Sequence, residues 1–139
     1  MREEQPTVVE VEVFGVEPLA HGPSAEEVRA LCLLAAGARG ASDGHLAVEF
    51  IDARRMAELN ARHRGRAEPT DVLSFPIDGS RTRAGEPREL GDVLICPEHT
   101  SDIREAVVHG VLHLLGMDHE ADNGEMLALQ AQLLASANR

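Results

Sequence analysis

The segment His109-Gly-Val-Leu-His-Leu-Leu-Gly-Met-Asp-His119 holds three of the chain's seven histidines within eleven residues, spaced His-x3-His-x5-His among aliphatic side chains. Apolar residues at 107, 108, 111, 112, 114 and 115 predict a buried helix. On it His109 and His113 lie one turn apart and project from one face. Gly116 follows the last apolar pair, where a left-handed residue ends a helix, so the chain can turn back and bring His119 toward the other two. A buried imidazole without a partner carries a desolvation penalty, and three together are hard to account for as packing. Convergence on one ion satisfies all three. Three neutral imidazoles and an open fourth position are the donor set of a catalytic zinc site, so His109, His113 and His119 are read as metal ligands.

The same positions fit the ligand and glycine places of the H-E-x-x-H-x-x-G-x-x-H pattern of zinc peptidases. There the glutamate after the first histidine is the general base. Here that position is Gly110, which has no side chain. The metal frame is present and the peptidase base is absent, which predicts no peptidase activity.

The motif His109-Gly110-x-Leu112-His113-Leu114-x-Gly116-x-Asp118-His119 resembles the signature of the YbeY family, zinc-dependent endoribonucleases that mature bacterial ribosomal RNA. Leu59-Asn60, followed by Arg64 and by Pro69-Thr70-Asp71-Val72-Leu73-Ser74-Phe75-Pro76, is similar to that family's second hallmark. Leu90-Gly91-Asp92-Val93, with Ile95-Cys96 behind it, is similar to a third. The blocks stand in the family's order over roughly the C-terminal two-thirds of the chain. Two departures are plain: the stretch before the metal helix is shorter than in the family, and His63 and Met117 stand where tyrosines are usual. The resemblance implies one zinc ion per chain and endoribonuclease activity in small-subunit rRNA end processing, ribosome biogenesis and quality control. It also implies ribosomal RNA and the small ribosomal subunit as partners, a cytoplasmic location, and a phosphate or RNA contact for Arg64.

A net charge of −11 argues against a nucleic-acid partner until its distribution is considered. Residues 54–88 carry eight arginines against five acids, leaving five arginines and nineteen acids elsewhere. A polyanion is then drawn to one face and repelled by the others. No apolar run is long enough to span a membrane, and the polar, acidic N-terminus reads as no signal peptide. Cys32 and Cys96, far apart and each among apolar neighbours, read as buried free thiols of a reducing compartment.

Along the chain, Val9, Val11 and Val13 alternate with Glu10 and Glu12 in a half-buried strand over 7–13. Ser24 and Glu27 form a capping box that opens a helix with the stripe Val28, Leu31, Cys32 and Ala35, closed by Gly37. After a loop over about 37–45, the apolar run 46–51 predicts a strand interior to a sheet. Asp52 caps a second helix with the stripe Met56, Leu59 and His63. Pro69 to Pro76 is a strand that must be short or lie at an edge, because proline cannot donate to a ladder. Within it Asp71 and Ser74 serve either the metal surroundings or the core. Residues 78–89 predict a mobile loop, and 90–96 a further strand in which Gly91 permits close backbone approach. Asp102 and Glu105 open the metal helix, and a C-terminal helix over 122–136 turns Met126, Leu127, Leu129, Leu133 and Leu134 to the core. Asp118 is read as a hydrogen-bond partner orienting a ligand histidine.

The expected fold is α+β: one mixed four-stranded sheet in the order β-α-β-α-β-β-α-α, the metal site on the third helix, residues 1–139 forming a single metallohydrolase domain. Two functions compete with the zinc-dependent endoribonuclease. One is a zinc hydrolase of another ester or amide. The other is a zinc-stabilised, ribosome-associated binding protein without catalysis, which needs a fourth protein ligand from His99 or Cys96.

Overall fold

A computed structural model describes residues 9–15, 22–41, 43–64, 71–77 and 89–137, with the backbone alone for His63 and Arg64. Its elements are β1 (Val9–Phe14), α1 (Ala25–Ala38), β2 (Gly44–Phe50), α2 (Ala53–Arg64), β3 (Val72–Pro76), β4 (Glu89–Ile95), α3 (Ile103–Leu114) and α4 (Glu125–Ala137), with a 3-10 turn at Pro97–His99. Their order is the expected one.

The strands form one sheet in the order β1-β2-β4-β3. β1 and β2 pair in parallel, as do β2 and β4, while β3 runs antiparallel to β4. Parallel neighbours need a long crossover, which α1 supplies between β1 and β2. β2 is interior, as expected, and β3, for which the prolines left either a short strand or an edge, is both. The period of two sorts the side chains. Leu46, Val48, Val93 and Ile95 face α1, α3 and α4 in the main core, whereas Leu73 and Leu94 face Met56 and Leu59 of α2.

Gly91 has φ +133, and Leu90 is the extra residue at a register shift between His45 and Leu46. A Cβ at Gly91 would collide with the Phe75 carbonyl and stand 2.7 Å from Leu114 Cδ1, so the close approach foreseen there is real. The capping box at Ser24 and Glu27 is present in both directions.

Several boundaries shift. α1 runs through Gly37 to Ala38, and the left-handed residue after it is Gly40, at φ +76. Gly37 meets no neighbouring atom within 4 Å at its Cβ position, so nothing about it obliges the helix to stop. β2 starts earlier, at Gly44, because Gly44 pairs with Val9. β3 starts at Val72, and Pro69 and Thr70 lie outside the described residues, as do residues 78–88 of the predicted loop. α4 begins at Glu125, since Asp122 accepts from Gly124 N at 2.8 Å and Met126 N at 2.9 Å and so stands before the helix as its cap. Leu127 is 46% exposed, contrary to its expected core position, and Gln130, 8% exposed, is buried instead. The stripe that faces the core is Met126–Gln130–Leu133, a spacing of four and three.

Cys32 and Cys96 are buried free thiols, as expected. Burial pushes the Cys32 thiol up to about 12.

Candidate metal centre

α3 is positioned by its start, its sheet-facing side and its end. Asp102 caps it by accepting from Glu105 N at 3.1 Å. Val107, Val108, Val111 and Leu112 are fully buried against the sheet and the neighbouring helices. Gly110 lies where the helix comes closest to the strands. A Cβ there would collide with Val93 Cγ1 and stand 3.1 Å from Val72 Cγ2. Ser74 Oγ donates to the Gly110 carbonyl at 2.8 Å, tying edge strand β3 to the middle of the metal helix. The position that holds the base in zinc peptidases here faces the sheet and leaves no room for a side chain.

The helix ends as its sequence predicts. Gly116, at φ +100, donates to the His113 carbonyl at 3.0 Å, and Met117 N donates to the Leu112 carbonyl at 3.0 Å. These are the paired bonds of a Schellman motif. The next turn is fixed by Asp118: its Oδ1 accepts from Glu120 N at 3.0 Å, and its carbonyl accepts from Ala121 N and Asp122 N. His119 sits inside that turn and reaches back over the helix end.

The three imidazoles meet. Ring centroids are 4.8 Å (His109–His113), 4.9 Å (His109–His119) and 5.1 Å (His113–His119) apart. His119 Nδ1 stands 3.2 Å from His113 Nε2, and no two ligand atoms of the trio are farther apart than 4.8 Å. Zn–N bonds of about 2.0–2.1 Å in a tetrahedral site put neighbouring nitrogens about 3.3 Å apart. One pair already meets that spacing. All three rings are half-buried. Burial holds the His113 imidazole below its ordinary 6.5, with the adjoining His109 and His119 adding to the effect. The neutral form, which binds metals, is therefore favoured.

The ring of His109 has a partner the sequence did not reveal. Its Nδ1 is 2.8 Å from Gln130 Oε1, across the α3–α4 contact. The signal for it in the sequence is an amide at the middle of α4's apolar stripe, beside the more hydrophobic but exposed Leu127.

Other predicted residues fall as follows. Ser74 supports the metal helix through the Gly110 carbonyl. Asp71 joins the start of β3 to the end of β4: its Oδ1 accepts from Val72 N at 2.9 Å and its carbonyl from Cys96 N at 2.9 Å. Asp118 shapes the turn that carries His119. Arg64 is the last residue of α2, with its side chain outside the described residues. Neither candidate for a fourth protein ligand joins the trio. Cys96 packs with Met56 and Leu59 on the opposite side of the sheet, and His99 is exposed beyond β4. Among the described residues, His109, His113 and His119 form the one group of three or more His, Cys, Asp or Glu able to hold a metal.

Comparison with known proteins points the same way. The profile of the family described as Endoribonuclease YbeY matches residues 24–138. Relatives named Endoribonuclease YbeY include one from Salinispora tropica, 45% identical over 66% of this chain and 73% of its own length. Another, from Chelativorans sp., is 40% identical over 78% of this chain and 75% of its own length. The relative from Mycolicibacterium smegmatis is 34% identical over 94% of this chain and 74% of its length. The solution structure of TM1509 from Thermotoga maritima shares the fold, with a TM-score of 0.53 at 24% identity over 91% of this chain and 88% of that one.

Proposed function

The chain belongs to the YbeY endoribonuclease family, and from that premise we propose a zinc-dependent endoribonuclease that acts in the cytoplasm on ribosomal RNA, in small-subunit rRNA end processing and ribosome quality control. The observation that carries the reading is the convergence of His109, His113 and His119 on one point. Their nitrogens are borderline donors suited to zinc, and the absence of a fourth protein ligand among the described residues leaves a coordination position open for substrate. The same point weighs against a zinc-stabilised binding protein without catalysis. Residues 1–139 are taken as one metallohydrolase domain, and the family's profile spans most of it.

Zinc bound by three imidazoles supplies Lewis acidity toward a phosphoryl oxygen and toward water. The chain's own residues do the rest. The three histidines hold the ion while neutral, and Asp118 keeps the turn that presents His119. Arg64 is assigned to the scissile phosphate, because a planar, permanently charged guanidinium binds phosphate oxygens in pairs and meets charge that grows in the transition state. The eight arginines between 54 and 88 draw the RNA toward that side of an otherwise acidic molecule. Gly110 offers no carboxylate to water, so peptide hydrolysis has no base there.

No helix among the described residues is long and apolar enough to cross a membrane, and two free buried thiols accord with a reducing compartment. The direct test incubates the purified protein with ribosomal RNA. Cleavage should stop when a chelator strips the metal and return when zinc is restored. Chelator-insensitive cleavage would remove zinc from the reaction.

A further inference from the structure

We propose that Gln130 is a positioning residue of the metal centre: its side-chain carbonyl holds His109 as the Nδ1–H tautomer, so that Nε2 is the nitrogen presented to the ion. This rests on the metal-binding reading above and deepens it by one residue.

The argument starts from where Gln130 sits. It lies between Met126 (0% exposed) and Leu133 (7%) on the face of α4 that packs on α3. A leucine or methionine would fill such a position at no polar cost, whereas a buried amide must find partners. Its Oε1 is 2.8 Å from His109 Nδ1.

A carbonyl oxygen can only accept, so in this arrangement Nδ1 carries the proton and the lone pair lies on Nε2. Turning the amide over would reverse the roles. Its NH2 would donate to Nδ1, and the ring proton would move to Nε2, the nitrogen left for the site. The two amide orientations thus define two different centres, and only the first accepts a cation. Metal-binding histidines generally donate their second nitrogen to a carboxylate or carbonyl, which fixes tautomer and ring direction. Asp118, read from the sequence as a partner orienting a ligand histidine, accepts at its Oδ1 from Glu120 N in the turn that carries His119. For His109 the role falls to a residue on another helix.

The test measures zinc affinity by competition with a chromophoric chelator, alongside the melting temperature of each zinc-free protein. Gln130→Met removes the acceptor and suits an apolar pocket. Its zinc-free form should melt no lower than wild type, while zinc affinity falls about 10- to 100-fold. Gln130→Glu keeps an acceptor, and a stronger one, so its affinity should equal or exceed wild type. A merely packing role predicts the reverse order, with Met tolerated and Glu harmful to binding. Wild-type affinity in Gln130→Met, or a loss in Gln130→Glu as large as that in Gln130→Met, overturns the proposal.

A second measurement needs no variant. The ring nitrogens of His109 in zinc-free wild-type protein should show the Nδ1–H pattern by 15N NMR, and an Nε2–H pattern overturns it equally. His113→Ala separates the two levels of inference. If wild type binds zinc no tighter than His113→Ala, the metal-binding reading itself fails, a result distinct from any difference among the Gln130 variants.

Discussion

A phosphodiester in flight toward cleavage gains negative charge on its non-bridging oxygens, and a single arginine that meets it makes a difference visible in rate alone. Arg64, the residue proposed for that role, is the last residue of α2. If it holds phosphate, Arg64→Ala should leave zinc content and melting temperature near wild type and lower RNA cleavage at least about tenfold, corresponding to roughly 1.4 kcal/mol of charge-assisted hydrogen bonding. Arg64→Lys should recover part of the loss, since an ammonium keeps the charge without the planar fork. Unfolding of Arg64→Ala, or cleavage at the wild-type rate, assigns the residue to structure instead. At this scale the histidine trio was legible and its support was not. His109 and His113 share a helix face and His119 follows a glycine break, so the convergence of the three rings is encoded locally. Gln130 reaches His109 across 21 positions of sequence, a relation set only by how α4 docks.

Among the elements, α3 is the one whose packing dictates its chemistry. Alanine normally stabilises a helix by about 1 kcal/mol relative to glycine. At Gly110 the opposite is expected, because the added methyl would collide with Val93 and crowd Val72. Overpacking of this kind costs about 1–3 kcal/mol. Chemical denaturation of Gly110→Ala should therefore show a net loss of stability, and a gain would mean the helix is not pressed onto the sheet as described. Gly110→Glu should be worse folded and still inactive on peptides. The helices and strands themselves were readable because caps, glycine stops and two kinds of periodicity are local signals, as at Ser24, Asp102 and Gly116. The side of α4 that faces inward was not. Its leucines surround most of the helix, and α3 selects the Met126–Gln130–Leu133 side. Sheet order was equally beyond reach, since the insertion of β4 between β2 and β3 is decided by pairing of distant segments.

For the molecule as a whole, one cluster ties three adjacent strands together away from the metal. His45 of β2 contacts Glu89 of β4 through Nδ1 at 3.0 Å and Glu12 of β1 through Nε2 at 2.5 Å, with Glu10 of β1 as its register partner. The Glu89 contact and then the Glu12 contact raise its pKa above the ordinary 6.5, against an opposing effect of burial. A folded-state value above the unfolded one contributes stability that is fully present below the unfolded value and is lost as pH rises through the folded value. His113, whose value is lowered, acts with the opposite sign in zinc-free protein. The prediction is therefore a difference. Wild-type stability minus that of His45→Gln should be largest on the acid side of 6.5 and shrink as pH rises above it, followed by denaturant titration at each pH. A difference that grows with pH would show that His45 is not held as a cation between the glutamates.

The position of the ligands along the chain also has a temporal meaning. Synthesis delivers the N-terminal part first, at about 5–20 residues per second. Among the described residues the last strand ends at Ile95, ahead of His109, and Gln130 emerges later still. Every strand of the sheet has thus left the ribosome before the first donor nitrogen does. In a zinc finger the ion organises a chain that is otherwise unfolded. If the zinc site proposed above is right, the ion would arrive last, at a sheet already synthesised, and zinc-starved cells are expected to accumulate a folded but idle protein rather than an unfolded one.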